Sequence, residues 1–461
     1  MNLNVLLIST YDLGRQPFGL ASPAAWLGEL GAEVHCLDLA IDSLQPEAVQ
    51  AADLVAIHLP MHMGTRLAVP VIKQVRRVNP QAHVCCFGLY APVNADYLRS
   101  LGVESILGGE FESNLVRLAQ RLAASKNGAG RLFEAASPAL VSLERQQFRV
   151  PDRSGLPDLT EYANLIIPGE PQRLVGYTEA SRGCKHLCRH CPIVPVYGGR
   201  FRIVSRQVVL ADIRQQVAAG AQHITFGDPD FFNGPGHAIP LVEALHAEFP
   251  HLTYDVTIKV EHLRQHARHL STLKETGCLF ITTAVESFDQ FTLTIFDKRH
   301  TPADFEAALR HCRQLDLLLI PTFVAFTPWT TLAGYGDFLS EIARLDLVEQ
   351  VAPIQYTLRL LVPHGSRLLE LSDFRALVGP MDEASLSYRW QNPEPRVDQL
   401  QRDLERLVHR CTKQHLSRSE TFQLIWERTQ QELSGSTRPP ALADSSARLK
   451  TVPYLTEPWY C

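Results

Sequence analysis

The chain has no apolar run long enough to span a membrane, although apolar residues make up 45% of it. It also lacks a basic N-terminal region followed by a cleavage site. Met1–Ser9 therefore reads as a first strand, not a signal peptide. These two absences point to a cytoplasmic protein, where a disulfide framework has no place. The ten cysteines are then expected as reduced thiols, clusters or metal ligands. Charge of one sign is scarce as well. A net charge of −5 over 461 residues gives no global field for nucleic acid.

What is present centres on Gly183-Cys184-Lys185-His186-Leu187-Cys188-Arg189-His190-Cys191-Pro192. This C-x3-C-x2-C array follows Leu174–Ser181, which reads as a strand, so the cysteines sit on the loop leaving it. Two chemistries fit. Three cysteines with His186 or His190 would make a tetrahedral zinc site. Alternatively, three thiolates hold three irons of a four-iron cluster and leave the fourth iron open. Arg182, Lys185, Arg189, Arg200, Arg202 and Arg206 surround the array. They read either as a solvated basic loop or as a lip for a carboxylate or phosphate.

Ahead of this array, apolar runs at Asn4–Ser9, Glu33–Leu37, Asp53–Leu59, His83–Phe87 and Glu104–Leu107 alternate with helical patterns. Such alternation predicts an α/β domain over 1–125, a doubly wound parallel sheet. Ser22-Pro23 reads as the start of the first helix. Cys85-Cys86 reads as strand core. Residues 126–173 are rich in proline and turn residues and read as a linker. Residues 174–369 alternate strand and helix again, with six strand–helix units expected and the last strand at Ile354–Leu361. In such partial barrels chemistry gathers at the C-terminal strand ends. Residues 370–434 read as a helical extension. Residues 435–461 read as a Ser/Pro/Ala linker and an aromatic tail ending on Cys461.

The cysteine array resembles that of the radical S-adenosylmethionine (SAM) enzymes, and further matches follow in order, each at a strand end. Gly227-Asp228-Pro229-Asp230 resembles the acidic loop that helps hold the methionine amine. Ala284-Val285-Glu286-Ser287 resembles Gly-Ile-Glu-Ser, implying that Glu286 and Ser287 bond the ribose hydroxyls. Thr327-Pro328-Trp329-Thr330 resembles a Pro-x-x-Thr loop near the adenine. Pro363–Leu368 resembles Pro-Gly-Thr-x-Leu. The series favours a [4Fe-4S] cluster on Cys184, Cys188 and Cys191 over zinc. Cys278 and Cys312 are expected in the core.

The N-terminal domain resembles the cobalamin-binding domain that precedes many radical SAM domains, with Gly108-Gly109-Glu110-Phe111-Glu112 as its best local match. The family's Asp-x-His-x-x-Gly motif is missing. The loop after the first strand, Tyr11–Pro17, has no histidine. Either cobalamin is held without histidine on cobalt, or the domain is a scaffold. A second cysteine triad is also missing from this domain, which argues against methylthiolation.

The resemblance implies reductive cleavage of SAM and, with cobalamin, methyl transfer to an unactivated carbon of a small molecule or peptide. The electron would come from a flavodoxin or ferredoxin. No nucleic-acid or membrane partner is expected. The alternative from another class is a non-catalytic iron–sulfur or cobalamin redox sensor. The ending also resembles radical SAM proteins with Cys-Sec-Ala-Glu-Pro or Cys-Cys-Ala-Glu-Pro tails. That resemblance implies a catalytic Cys461 and a selenoprotein read past it.

Overall fold

The computed structural model describes residues 3–126, 140–433 and 452–456. The first apolar runs form strands β1 (Asn4–Ser9), β2 (Glu33–Asp38), β3 (Leu54–His58), β4 (His83–Phe87) and β5 (Ser105–Gly109). A short β6 (Val141–Ser142) completes a parallel sheet of order β2-β1-β3-β4-β5-β6. The strands are buried on both faces because helices cover both. Cys85 and Cys86 are fully buried in β4, one toward each face. The chain reverses direction across the sheet between β1 and β3, so a crevice opens at their carboxyl ends.

The first helix is Phe18–Glu29, longer than its sequence signal suggests, and it carries Pro23 inside. Ser22 does not cap it. Its hydroxyl donates to Glu112 Oε1 at 2.7 Å, a tertiary bond that outweighs the local capping preference.

Two pieces of the stretch read as a linker join sheets: β6 in the first, and β7 (Asn164–Ile166) in the second. The second sheet continues with β8 (Arg173–Thr178). A side hairpin, β9 (Ser181–Gly183) and β10 (Phe201–Ile203), frames the cysteine loop. Then follow β11 (His223–Phe226), β12 (Thr253–Thr257), β13 (Cys278–Glu286) and β14 (Leu318–Phe323). Strands β8 and β11 to β14 are parallel and make the curled half-barrel. Ser205 caps the first barrel helix, Arg206–Ala218. Thr301 and Asp304 form the expected capping box on Pro302–Gln314. Cys278 and Cys312 lie in the core as expected.

The sixth strand is a correction. Pro353–Tyr356 is a 3-10 turn, because Pro353 cannot donate to a ladder. Only a parallel bridge between Phe326 and Arg359 remains. The helical extension holds Pro395–Lys413 and Arg418–Leu433, preceded by an unforeseen hairpin, β15 (Val378–Asp382) and β16 (Ser387–Trp390). Past the undescribed residues 434–451, β17 (Tyr454–Leu455) pairs antiparallel with β7. No helix among the described residues is long and apolar enough to cross a membrane.

Asp38, at the end of β2, is buried, and Tyr162 and the Ala40 N–H both donate to it. Burial dominates and pushes its carboxyl up to about 6. The folded state therefore holds this proton more tightly than the unfolded chain. The stability it contributes is full below about pH 4 and is lost as pH rises through about 6. Asp38→Asn should be close to neutral at pH 4 and more stable than the wild type at pH 7.5, by up to about 3 kcal/mol. Urea midpoints at the two pH values check this. A pH-independent difference would contradict it.

Candidate active site

The carboxyl ends of both sheets face one cavity of about 1180 Å³. The N-terminal sheet contributes Asp12, His58, Gly88, Gly109 and Phe111 to its wall. The barrel contributes Tyr177, Thr225, Asp228, Asp255, Thr282 and Thr322. Thus the crevice of one sheet and the mouth of the other are a single space.

The cysteine loop leaves β9 at the rim. Gly183 makes the turn with φ near 74°, and a side chain there would run into Tyr197 and the Arg200 carbonyl. Cys184 and Cys188 are buried, and Cys191 is half-buried. Asn233 braces the start of the loop, accepting from Lys185 N and donating to the Gly183 carbonyl. The segment resembling Pro-Gly-Thr-x-Leu holds its far end. Ser366 Oγ and Leu368 N both donate to the Arg189 carbonyl, and Arg367 donates to Leu187.

The donor set fits a multi-iron cluster and not a single zinc. Sulfurs on one tetrahedral zinc lie roughly 3.8 Å apart. The three cysteine sulfurs do not all come within 4.8 Å of one another. Both histidines of the zinc alternative are committed elsewhere. His190 stacks on Phe296 and bonds Glu286 at 3.0 Å. His186 faces His262 at 3.1 Å. Burial pushes the Cys191 thiol up to about 12, and the neighbouring thiols add to this. Ligation to iron relieves that cost by taking up the thiolates. Lys259 Nζ, 3.6 Å from Cys188 Sγ, supplies a positive counter-charge.

Of the remaining candidates among the described residues only Asp228 lines the cavity; Asp230, Glu286, Ser287, Thr327 and Pro328, like the three cysteines, do not. Asp228 is buried on the cavity wall and accepts from Ser181 Oγ and Ala180 N at 2.7 and 2.8 Å. Burial pushes its carboxyl up to about 7, against the pull of those bonds. Asp230, two residues on, is fully buried and is not on the cavity wall. It caps Phe232 N and turns toward His262 and His186. Glu286 ends β13 in a left-handed conformation (φ near 70°) that aims it at the cysteine loop. Burial raises its pKa, but Lys298 and His190 outweigh it and hold the carboxylate well below its usual range. Both contacts fall on Oε1, at 3.0 Å each. Ser287 accepts from Asp289 N. Thr327 and Pro328 are buried in a tight turn, with Thr327 and Thr330 hydroxyls 3.1 Å apart and Asn392 bonding both carbonyls. Cys461 lies outside the described residues, as do Trp459 and Tyr460.

The basic lip is corrected in part. Arg182 is only 7% exposed. It bonds Glu112 at 2.6 Å and Glu179 at 2.7 Å, with Glu110 at 3.7 Å. Phe18, Phe111 and Phe148 pack against its guanidinium. Arg189 and Arg202 are spent on backbone carbonyls. Sequence reasoning missed Lys259, Glu261 and His262. They follow β12 directly, so the strand-end rule would have found them.

Residues 178–326 match the radical SAM superfamily. Over 341 residues the chain is 23% identical to the hopanoid C-3 methylase of Methylococcus capsulatus. The match covers 70% of this chain and 64% of that relative, so it spans less than two thirds of its length. Among solved structures, the cobalamin-dependent SAM radical enzyme OxsB, with aqua-cobalamin and SAM bound, superposes with a TM-score of 0.70 at 13% identity. That alignment covers 94% of this chain and 74% of OxsB. The radical SAM methyltransferase TsrM from Kitasatospora setae, with tryptophan substrate and a SAM analog, superposes with a TM-score of 0.66 at 16% identity. It covers 87% of this chain and 88% of TsrM. Both likenesses bear out the expected fold: a doubly wound sheet followed by a radical SAM half-barrel.

Replacing Arg182 by Met would leave Glu112, fully buried, and Glu179, half-buried, without their cation. The expected loss is about 3–5 kcal/mol, read as a lower urea midpoint. An unchanged midpoint would show that the carboxylates are held some other way.

Proposed function

We propose that this chain is a cobalamin-dependent radical SAM methyltransferase acting on a small molecule or peptide. The observation that carries it is the cavity shared by the strand ends of both sheets, whose wall also includes Gly183 and Ile193, the residues flanking the cysteine segment. When bound, the [4Fe-4S] cluster supplies the electron that splits SAM, and cobalamin supplies a methyl carrier. Cys184, Cys188 and Cys191 would hold the cluster. Asp228, on the cavity wall, is the carboxylate we assign to the methionine ammonium. That cation would draw its carboxyl down from about 7 and keep it ionised. Glu286 and Ser287 would bond the ribose hydroxyls, with Glu286 anchored through Oε1 and its second oxygen left to accept. Thr327 and Pro328 would border the adenine. Asp12, His58, Gly88 and Gly109 line the part of the cavity that would take cobalamin, and no histidine follows β1 to reach cobalt. A flavodoxin or ferredoxin would deliver the electron.

A redox sensor would need the cysteines but neither a methionine carboxylate nor a ribose carboxylate. The order of those groups along the strand ends supports the enzyme reading. Anaerobic, reconstituted protein given SAM and dithionite should release 5′-deoxyadenosine or S-adenosylhomocysteine. Cys188→Ala should lose the four-iron spectrum and this cleavage together. No SAM product from cluster-loaded protein would refute the enzyme.

For the tail we keep only a role in closing the cavity. Pro453, Tyr454, Leu455 and Thr456 line the cavity, and Leu455 packs on the cluster of Leu165, Val175 and Phe280 inside the barrel. β17 joins β7 beside the start of β8, where Leu165 faces Arg173, so the tail closes the cavity wall toward the amino ends of the barrel strands and not at the cysteine loop. Deleting residues 452–461 should reduce turnover at least tenfold while cluster content stays the same. Full turnover in the truncated protein would remove the tail from the reaction.

A further inference from the structure

Beside the cysteine loop, away from the cavity, three buried side chains converge. His186 comes from the loop itself, between Cys184 and Cys188. Asp230 comes from the loop after β11, and His262 from the short helix after β12. Among the described residues they are the one set of three such groups whose ligand atoms all lie within 4.8 Å of each other. His186 is 7% exposed, and Asp230 and His262 are 0% exposed.

The geometry is that of a ligand set. His186 Nε2 faces His262 Nε2 at 3.1 Å and Asp230 Oδ2 at 3.6 Å. Two nitrogens on one tetrahedral zinc are about 3.4 Å apart. Asp230 Oδ2 lies 2.6 Å from His262 Nδ1, the ring nitrogen opposite the one facing His186, and both atoms are buried without a hydrogen-bond partner; an ion takes one of the two His262 nitrogens together with His186 Nε2 and Asp230 Oδ2. The outer contacts are also those a metal site uses. Glu261 Oε2 lies 3.5 Å from His186 Nδ1, on the far side of the ring. Phe232 N donates to the other oxygen of Asp230. Ligating imidazoles and carboxylates are oriented by such partners.

We propose that His186, Asp230 and His262 bind one divalent ion of the zinc type, which staples the cysteine loop to the ends of β11 and β12. Two imidazoles and a carboxylate suit zinc or ferrous iron and do not suit calcium or magnesium. None of the three residues lines the large cavity; the role assigned to the ion is to hold the cysteine loop against the two strand ends. This site gives Asp230 a partner other than the methionine ammonium. It does not depend on the enzyme reading above.

The test uses full-length protein expressed with added zinc, purified anaerobically and washed with a chelator. Wild type should keep about one zinc per chain beside its iron. Absorption at the zinc edge should show only nitrogen and oxygen ligands near 2.0–2.1 Å, with no sulfur near 2.3 Å. His262→Gln and Asp230→Asn should each cut retained zinc at least tenfold, with circular dichroism unchanged. Zinc-free wild type, a sulfur ligand at the zinc edge, or folded variants that keep their zinc would each overturn the proposal. The edge measurement needs no variant, so misfolding of either one leaves the test standing.

Discussion

Arg182 is the interaction on which the arrangement depends. It sits two residues before the first cysteine of the loop, buried, with carboxylates from both halves of the molecule around it. Glu110 and Glu112 come from the end of the N-terminal sheet, and Glu179 from the end of β8. Three carboxylates on one cation leave an excess of negative charge, and burial pushes Glu110 up to about 7, so it carries a proton much of the time. The pairing is expensive to bury and more expensive to break. That asymmetry fixes one relative placement of the two sheets: carboxyl ends face to face, with the cysteine loop anchored at the seam.

A second clamp repeats the logic on the same side of the seam, its guanidinium packed like that of Arg182 against Phe18. Arg153, from the connecting segment, bonds Asp212 with two nitrogens, at 2.7 and 2.9 Å, and also reaches Gln16 and the Tyr177 carbonyl. The shared cavity lies beside the two clamps, with Phe18 and Arg182 on its wall. Neither sheet alone encloses it. A cofactor laid on the ends of β1, β3 and β4 would face one held at the rim of the half-barrel, with the substrate between them and water kept out. Such an enclosure is what a protein contributes to cofactor chemistry.

Much of this was legible in the sequence. Strand and helix patterns gave both sheets, because strands buried on two faces read as unbroken apolar runs. Capping at Ser205 and Thr301 was local chemistry and survived folding. The strand-end rule brought Asp228, Glu286 and Thr327 to one side of the molecule. What escaped depended on tertiary contacts. Ser22 reads as a cap until Glu112 is brought beside it. Arg182 reads as a solvated loop residue until three carboxylates close around it. The bridge at Arg359 replaces a strand because Pro353 starts a turn. His262 carries no motif, and only the packing of two loops against the cysteines gives it partners.

The central claim is that the cysteine loop and the carboxyl ends of the N-terminal sheet bring an iron–sulfur cluster and cobalamin close to one another. Electron paramagnetic resonance on protein loaded with both, reduced to the paramagnetic cluster and cob(II)alamin, tests it most directly. The account predicts that the two centres couple magnetically in one molecule and that SAM alters the cluster signal. Two uncoupled signals at full loading, or no retained cobalamin beside an intact cluster, would contradict it.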